Sequence, residues 1–492
     1  MFDNYIDSLK DEIIKETCNL INIPSISEET NNPDMPFGKY AKEALEYALN
    51  LGNKLGFRTK NLDGYCGYIE FGEGDKLLGI IGHLDVVPSG DAWNTPPFEA
   101  TINDNKIYGR GAIDDKGPVV ASLYAMKTIK DNMNINYRVR LILGINEEKA
   151  WKCIKHYKEV EELPTIGFSP DADFPCIYAE KGICTVYIKD DFRKYENLPI
   201  KISNIDCNNN AINVVPKKCD VTLDIDVSKI SLSDVTNFID KELKSSKFDI
   251  SYSINKNSIL LHSTGIQAHS AHPDLGKNAI SPMIILLNRI FNYFEYKINL
   301  FEFFENYINT EFTGKSLGID FEDESGKLTL NVGDFSLDNY LQFGINLRIP
   351  INTSINTVTN LIDLKCQDCS LDTYIAMKQN PLYVPKDNYL VKTLCNIFNR
   401  MTNSNFEPIA IGGGTYARAF ENCISFGANF PGDTDMCHQA NEFIDINKLM
   451  LSCKIYTEAI YELTNGASNG NWTRDLSLTK AALYQLSYGS IS

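Results

Sequence analysis

Two glutamates, Glu147 and Glu148, stand side by side in RLILGINEEKAW, directly after an apolar run that reads as a buried strand. Adjacent like charges repel, so the pair is either a solvated turn or part of a site that needs two acids. Three further clusters bear on the choice. His83 follows an apolar strand in LLGIIGHLDVVPSG, with Asp85 two residues on; this spacing lets a carboxylate orient the imidazole while the other ring nitrogen takes a metal. Asp114 and Asp115 follow two glycines in YGRGAIDDKGP and precede a predicted helix, whose dipole favours negative charge. Asp171 and Asp173 lie in FSPDADFP, just past a predicted strand. Taken singly, each cluster has an ordinary explanation as a cap or turn. All four, however, fall at or near the ends of predicted elements of one sheet, and the carboxyl ends of strands in open α/β sheets bind ligands. Without a cation between them their charges would repel strongly. A histidine with several carboxylates suits a pair of divalent ions, zinc or manganese, better than a structural cysteine site. MCHQANEF supplies a second histidine, His438.

The elements that must position these residues are legible in outline. Ile6, Leu9, Ile13, Cys18 and Ile21 recur at helical spacing before Pro24 and predict a first helix. Apolar runs at 77–81, 139–143 and 166–168 alternate with a helical stretch at 118–129, the pattern of an α/β sheet with crossover helices. Between about 185 and 384 the texture changes to Asn-, Lys-, Ser- and Ile-rich alternation around an amphipathic helix at 280–294, predicting an inserted α+β domain. After Pro385 the α/β texture returns, with a helix at 390–401, a strand at 408–411, the turn GGGTYAR, a strand at 423–426 and a helix at 446–463. The expected division is therefore 1–184 and 385–464 for one domain and 185–384 for the other, with ligands favoured in the cleft between. Residues 465–492 do not continue the final helix and resemble peptides made by conceptual translation through a neighbouring tRNA gene; they are expected to lie outside the fold.

Composition narrows the partners. At 492 residues, 43% of them hydrophobic, the chain is long enough for more than one core. The 64 acidic and 47 basic residues give a formal charge of −17, which argues against nucleic acid or an anionic membrane as the main partner. The N-terminal stretch carries acids early and lacks an apolar core of the secretory kind, so a cytoplasmic location is expected. Thirteen scattered cysteines fit reduced thiols, and the one CxxC, Cys366 to Cys369, reads as structural.

GHLDVVP, YGRGAIDDKG, the Glu-Glu pair, SPDADFP, GGGTYAR and CHQANEF, in this order, resemble the co-catalytic dinuclear metallopeptidases that include carnosinases, aminoacylases and glutamate carboxypeptidase, and among them the bacterial PepV or Xaa-His dipeptidase branch. The resemblance implies a zinc-peptidase-like α/β catalytic domain with a mixed sheet flanked by helices, interrupted by an inserted α+β lid. It also implies two divalent ions, zinc foremost and manganese as the alternative. His83, Asp114 and Asp171 would hold one ion and Asp114, Glu148 and His438 the other, with Asp85 behind His83 and a cis peptide after Asp114. Glu147 would be general base and then acid, because adjacent residues of an extended segment point to opposite sides. From the insertion, His269 would reach the oxyanion, and Asn213 and Arg348 would bind substrate together with Gly413, Gly414 and Thr415. His156, His262 and His272 match no family role. Lys149 and Cys437 depart from the pattern: the lysine would weaken metal binding, and the thiol would compete for metal or make activity redox-sensitive.

The implied activity is hydrolysis of dipeptides. An N-acyl-amino-acid deacylase or desuccinylase is the nearest alternative, and a catalytically silent metal- or peptide-binding relative the alternative of another class. A lid of about 200 residues can fill the role that smaller relatives give a dimer partner, so a monomer acting on a small peptide is expected.

Overall fold

The computed structural model describes residues 2–207 and 211–465. The chain forms two compact units, one comprising Met1–Tyr178, Tyr383–Ile409 and the chain from Gly414 on, the other Ala179–Leu382 with Ala410–Gly413.

The first unit opens with helices α1 (Asp3–Ser8), α2 (Lys10–Ile21) and α3 (Lys39–Lys54). Where the apolar spacing predicts one N-terminal helix there are two, because the chain turns at Leu9, whose amide donates to the Ile6 carbonyl. Strands β1 (Arg58–Leu62), β2 (Cys66–Phe71) and β3 (Leu77–His83) follow, then β4 (Thr101–Asn103), β5 (Lys106–Tyr108), α4 (Lys116–Asn132), β6 (Arg138–Gly144), α5 (Lys152–Val160) and β7 (Ile166–Ser169). The sheet is mixed. It runs β1-β2-β6-β3-β7 and on to Cys423–Ser425; β6, β3, β7 and Cys423–Ser425 are parallel neighbours, whereas β1 and β2 are antiparallel. The apolar runs of β3 and β6 are buried almost end to end, as expected for strands covered on both faces. The covering helices include α4 and Ile446–Asn465, which pack against each other.

The register of these strands sets the site. His83 pairs with Gly144 and Ser169 with Ser425, so β3, β6, β7 and Cys423–Ser425 all end at one edge. Two glycines permit close approach there. A Cβ on Gly82 would lie 2.6 Å from Asp115 Oδ2, and one on Gly144 would lie 2.5 Å from the Tyr416 hydroxyl, closer than real side-chain atoms come.

The second unit carries two four-stranded antiparallel sheets. One joins Ile200–Asp206, Lys218–Ile225, Ser258–Thr264 and Ile250–Asn255; the other joins Thr329–Leu337, Leu341–Ile349, Gly182–Asp190 and Asp372–Gln379. Helix Ile280–Tyr293 is buried along most of its length, and its Ile284, Leu287 and Phe291 join Phe301 and Phe343 in the core. No helix among the described residues is long and apolar enough to cross a membrane. Of the 465–492 stretch, only Asn465, the last residue of the final helix, falls within the described residues.

Candidate metal centre

His83 is the last residue of β3 and is buried. Its Nδ1 lies 2.9 Å from the backbone carbonyl of Asp85. A carbonyl can only accept, so Nδ1 carries the proton and Nε2 is the atom presented to the site. That Nε2 lies 3.0 Å from Asp114 Oδ1 and 3.6 Å from Asp171 Oδ2. On the other side of Asp114, Oδ2 lies 3.1 Å from His438 Nε2, which is also 3.2 Å from the Glu148 carboxylate. One carboxylate, Asp114, thus faces two imidazoles with its two oxygens. The potential ligand atoms of His83, Asp114 and Asp171 lie within 4.8 Å of one another, and so do those of Asp114, Glu148 and His438. The peptide between Asp114 and Asp115 is cis.

Burial and mutual repulsion dominate the electrostatics. Burial, with the charge of Asp114, raises the Glu148 carboxyl to about 7. Burial likewise raises Asp171 to about 6, against the lowering effect of His83. Glu147 is pushed well above the usual carboxyl range by burial, with Glu148 and Asp171 adding to the effect. Asp114 is also desolvated, yet hydrogen bonds from His438 and His83 outweigh that and hold it low. These groups line a cavity of about 190 Å³ shared with Gly414, Thr415 and Cys437.

Several expectations need correction at this site. The Asp85 carboxylate does not make the close contact to the imidazole: its nearest oxygen is 3.6 Å from His83 Nδ1. Instead it accepts the backbone amides of Glu147, at 3.0 Å, and Glu148, at 3.2 Å. The glutamate pair is therefore not in an extended segment. It sits in a turn, closed where the Trp151 amide donates to the Asn146 carbonyl; both side chains line the same cavity, and Glu148 but not Glu147 belongs to a ligand group. Lys149 is exposed on this turn. In the metal-free protein, burial and the carboxylates of Asp114, Asp435 and Asp171 push the Cys437 thiol up. Asp173 belongs to neither ligand group; it lies in a short strand paired with Ala428–Asn429.

Asn213, His269 and Arg348 lie in the second unit, as does Gly413, whereas Gly414 and Thr415 line the cavity of the first. Within the second unit Val214 bridges to His269, and the Ser270 amide donates to the Asn213 carbonyl, so Asn213 and His269 are neighbours. Buried Arg348 joins them through Ser270 Oγ, at 2.9 Å, and also donates to Asn346 Oδ1 and the Gly412 carbonyl. His156 stacks on Tyr65 and pairs with Asp63, His262 pairs with Asp220, and His272 is exposed. Cys366 is buried in helix Ile355–Asp368 and Cys369 caps that helix.

Sequence reasoning passed over Arg110 and Glu442, both buried beside the site, and Tyr416, whose ring packs edge-on to His83. An arginine among the glycines of YGRGAID and an acid four residues after His438 were the available signals.

Comparison with known proteins decides the family. The description Peptidase family M20/M25/M40 matches residues 79–462. The chain belongs to this family. It is thus a hydrolase of the metallopeptidase kind, with the fold that the motifs implied. It is 37% identical over 463 residues to "Putative dipeptidase YtjP" of Bacillus subtilis strain 168, covering 92% of this chain and 97% of that one. To "Putative dipeptidase SAUSA300_1697" of Staphylococcus aureus it is 33% identical, covering 94% and 99%. Among solved structures it is similar to human carnosine dipeptidase 1, with a TM-score of 0.56 at 15% identity, covering 94% of this chain and 98% of that one.

Proposed function

We propose that this peptidase is a dipeptidase that works with two divalent metal ions, zinc foremost, and that it acts in the cytoplasm as a monomer. The observation that carries the reading is the pair of ligand groups sharing Asp114, with Glu147 beside them in the same cavity. The donor set fits such ions: imidazole nitrogens and carboxylate oxygens suit zinc or manganese, and the buried acids gain a reason to ionise when a cation lies between them. His83, Asp114 and Asp171 hold one ion and Asp114, Glu148 and His438 the other. Bound there, the ions supply Lewis acidity and lower the pKa of water.

The chain's own groups do the rest. Glu147 is no member of either ligand group yet lines the same cavity, the placement of a carboxylate that takes a proton from water and returns it to the leaving amine. Asp85 holds the Glu147 and Glu148 amides and so fixes where both carboxylates start. In the second unit, the Arg348 guanidinium is held by Ser270, Asn346 and Gly412, which orients it to receive a substrate carboxylate, with His269 and Asn213 beside it as hydrogen-bonding groups. The names of the relatives support a peptide substrate. The test is a panel of dipeptides and N-acyl amino acids, assayed with zinc or manganese after chelation. Turnover of dipeptides with a free carboxylate supports the reading, turnover of acyl amino acids alone replaces it with a deacylase, and no turnover of either leaves a binding protein.

A further inference from the structure

Asp114 and His438, which the proposed function places on the same ion, come from loops more than three hundred residues apart in sequence. Backbone pairing between Phe443–Asp445 and β5 brings the two segments together, and the Gly109 amide donates to the Glu442 carbonyl at 3.0 Å. Side chains then lock the ends. The buried Glu442 carboxylate accepts from Arg110 Nη1 at 2.8 Å, from the amides of Gly111 and Ile113 at 3.0 Å each, and from the amide of Asp114 itself at 3.3 Å. Arg110, buried as well, spreads its fork over the other loops: Nη1 to the Gln439 carbonyl at 3.2 Å, and Nη2 to the carbonyls of His438 at 3.3 Å and Ser89 at 3.2 Å.

His438 itself sits at φ 64°. That left-handed conformation costs a non-glycine residue roughly 1 kcal/mol or more, and it persists only where the surroundings enforce it. The hydrogen bond from Arg110 to the His438 carbonyl is such an enforcement. The guanidinium reaches Glu442 and Gln439 with Nη1 and Ser89 and His438 with Nη2; a lysine ammonium carries its three donors on one nitrogen and cannot span both sets.

We propose that Arg110, paired with Glu442, is a positioning residue that presets His438 against Asp114, so that the ion held by Asp114, Glu148 and His438 enters a preformed site. This rests on the metal reading above. It differs from a general structural role in being selective: the Glu442 clamp on the Asp114 loop survives a lysine at position 110, while the hold on His438 does not. Groups that orient a metal ligand through its side chain are worth about 10- to 100-fold in metal affinity, and the same order is expected of a hold on the His438 backbone.

The test is titration of the chelated full-length protein with Zn²⁺ alone by calorimetry, for wild type, Arg110→Lys and Trp93→Leu; the last removes the half-buried ring that faces the guanidinium at 5.3 Å. Wild type is expected to take two equivalents. Arg110→Lys should bind one equivalent as wild type does and the other about 10- to 100-fold more weakly. If Arg110→Lys gives no folded protein, Trp93→Leu decides by the same selectivity, with one equivalent weakened and the other not. Both equivalents unchanged, or both weakened alike, would overturn the proposal. A wild type that takes up fewer than two ions would instead overturn the metal reading itself, and this inference with it.

Discussion

Asp85→Asn separates two accounts of the HxD pair that predict different losses. The carboxylate accepts two amides, Glu147 at 3.0 Å and Glu148 at 3.2 Å, while the contact that fixes the His83 ring is made by the Asp85 backbone. Asparagine keeps one accepting oxygen and turns an amide N–H₂ toward the other backbone N–H. One hydrogen bond to a charged acceptor is lost, worth about 1.5–3 kcal/mol. At about 1.4 kcal/mol per factor of ten, and with that loss falling on the placement of Glu147, kcat should drop roughly 10- to 150-fold. The His83 ring keeps its backbone partner, so the variant should still take up two metal ions at saturating Zn²⁺. The assay is steady-state dipeptide hydrolysis at saturating Zn²⁺, with metal content measured on the same sample. A fully metallated variant with unchanged kcat would refute the reasoning, and a variant that loses turnover only because it loses one ion would return the Asp85 carboxylate to the imidazole.

Other expectations follow from the same geometry. In the metal-free protein Glu148 and Asp171 have folded-state values raised to about 7 and about 6, so through these two groups the folded state binds more protons than the unfolded one between about pH 4 and pH 7. Their stabilising contribution is complete below their unfolded values and is lost as pH rises through the folded ones; the chelated protein should therefore melt lower at pH 7 than near pH 5, and added Zn²⁺ should raise the melting temperature more at pH 7. A melting temperature of the chelated protein that climbs across that range would contradict this. Gly144→Ala places a methyl group 2.5 Å from the buried Tyr416 hydroxyl, and should cost about 1–3 kcal/mol in urea unfolding; a change below about 0.5 kcal/mol would show that Tyr416 can move aside. Arg348→Lys cannot reproduce a fork held by Ser270, Asn346 and Gly412, and should raise KM for a substrate with a free carboxylate by about tenfold or more while leaving metal content intact. An unchanged KM would remove Arg348 from substrate binding.

What the sequence revealed and what it hid have physical reasons. Parallel strands covered on both faces are continuous apolar runs, so β3, β6 and β7 were readable, and the residues just past their ends were the natural place to look for chemistry. The ligand candidates were legible because histidine is scarce and carboxylates crowd these ends. Contacts made through the backbone were not. That His83 leans on a carbonyl rather than a carboxylate, and that Asp85 closes the turn carrying Glu147 and Glu148, depends on chain geometry that residue types do not encode. The break at Leu9 escaped for a related reason: apolar spacing continues across a turn that keeps the same face inward. Arg110 and Glu442 escaped because a buried ion pair between distant loops looks, in sequence, like two ordinary surface charges.

The central claim is that the paired glutamates have separate duties, and metal content together with turnover in Glu147→Gln and Glu148→Gln tests it most directly. Glu147→Gln should retain two ions per chain and lose dipeptide turnover by at least about a hundredfold, the scale of a missing general base. Glu148→Gln should retain one ion firmly and the other weakly, with turnover recovering as Zn²⁺ is raised. Equal metal loss and equal turnover loss in the two variants would contradict the account.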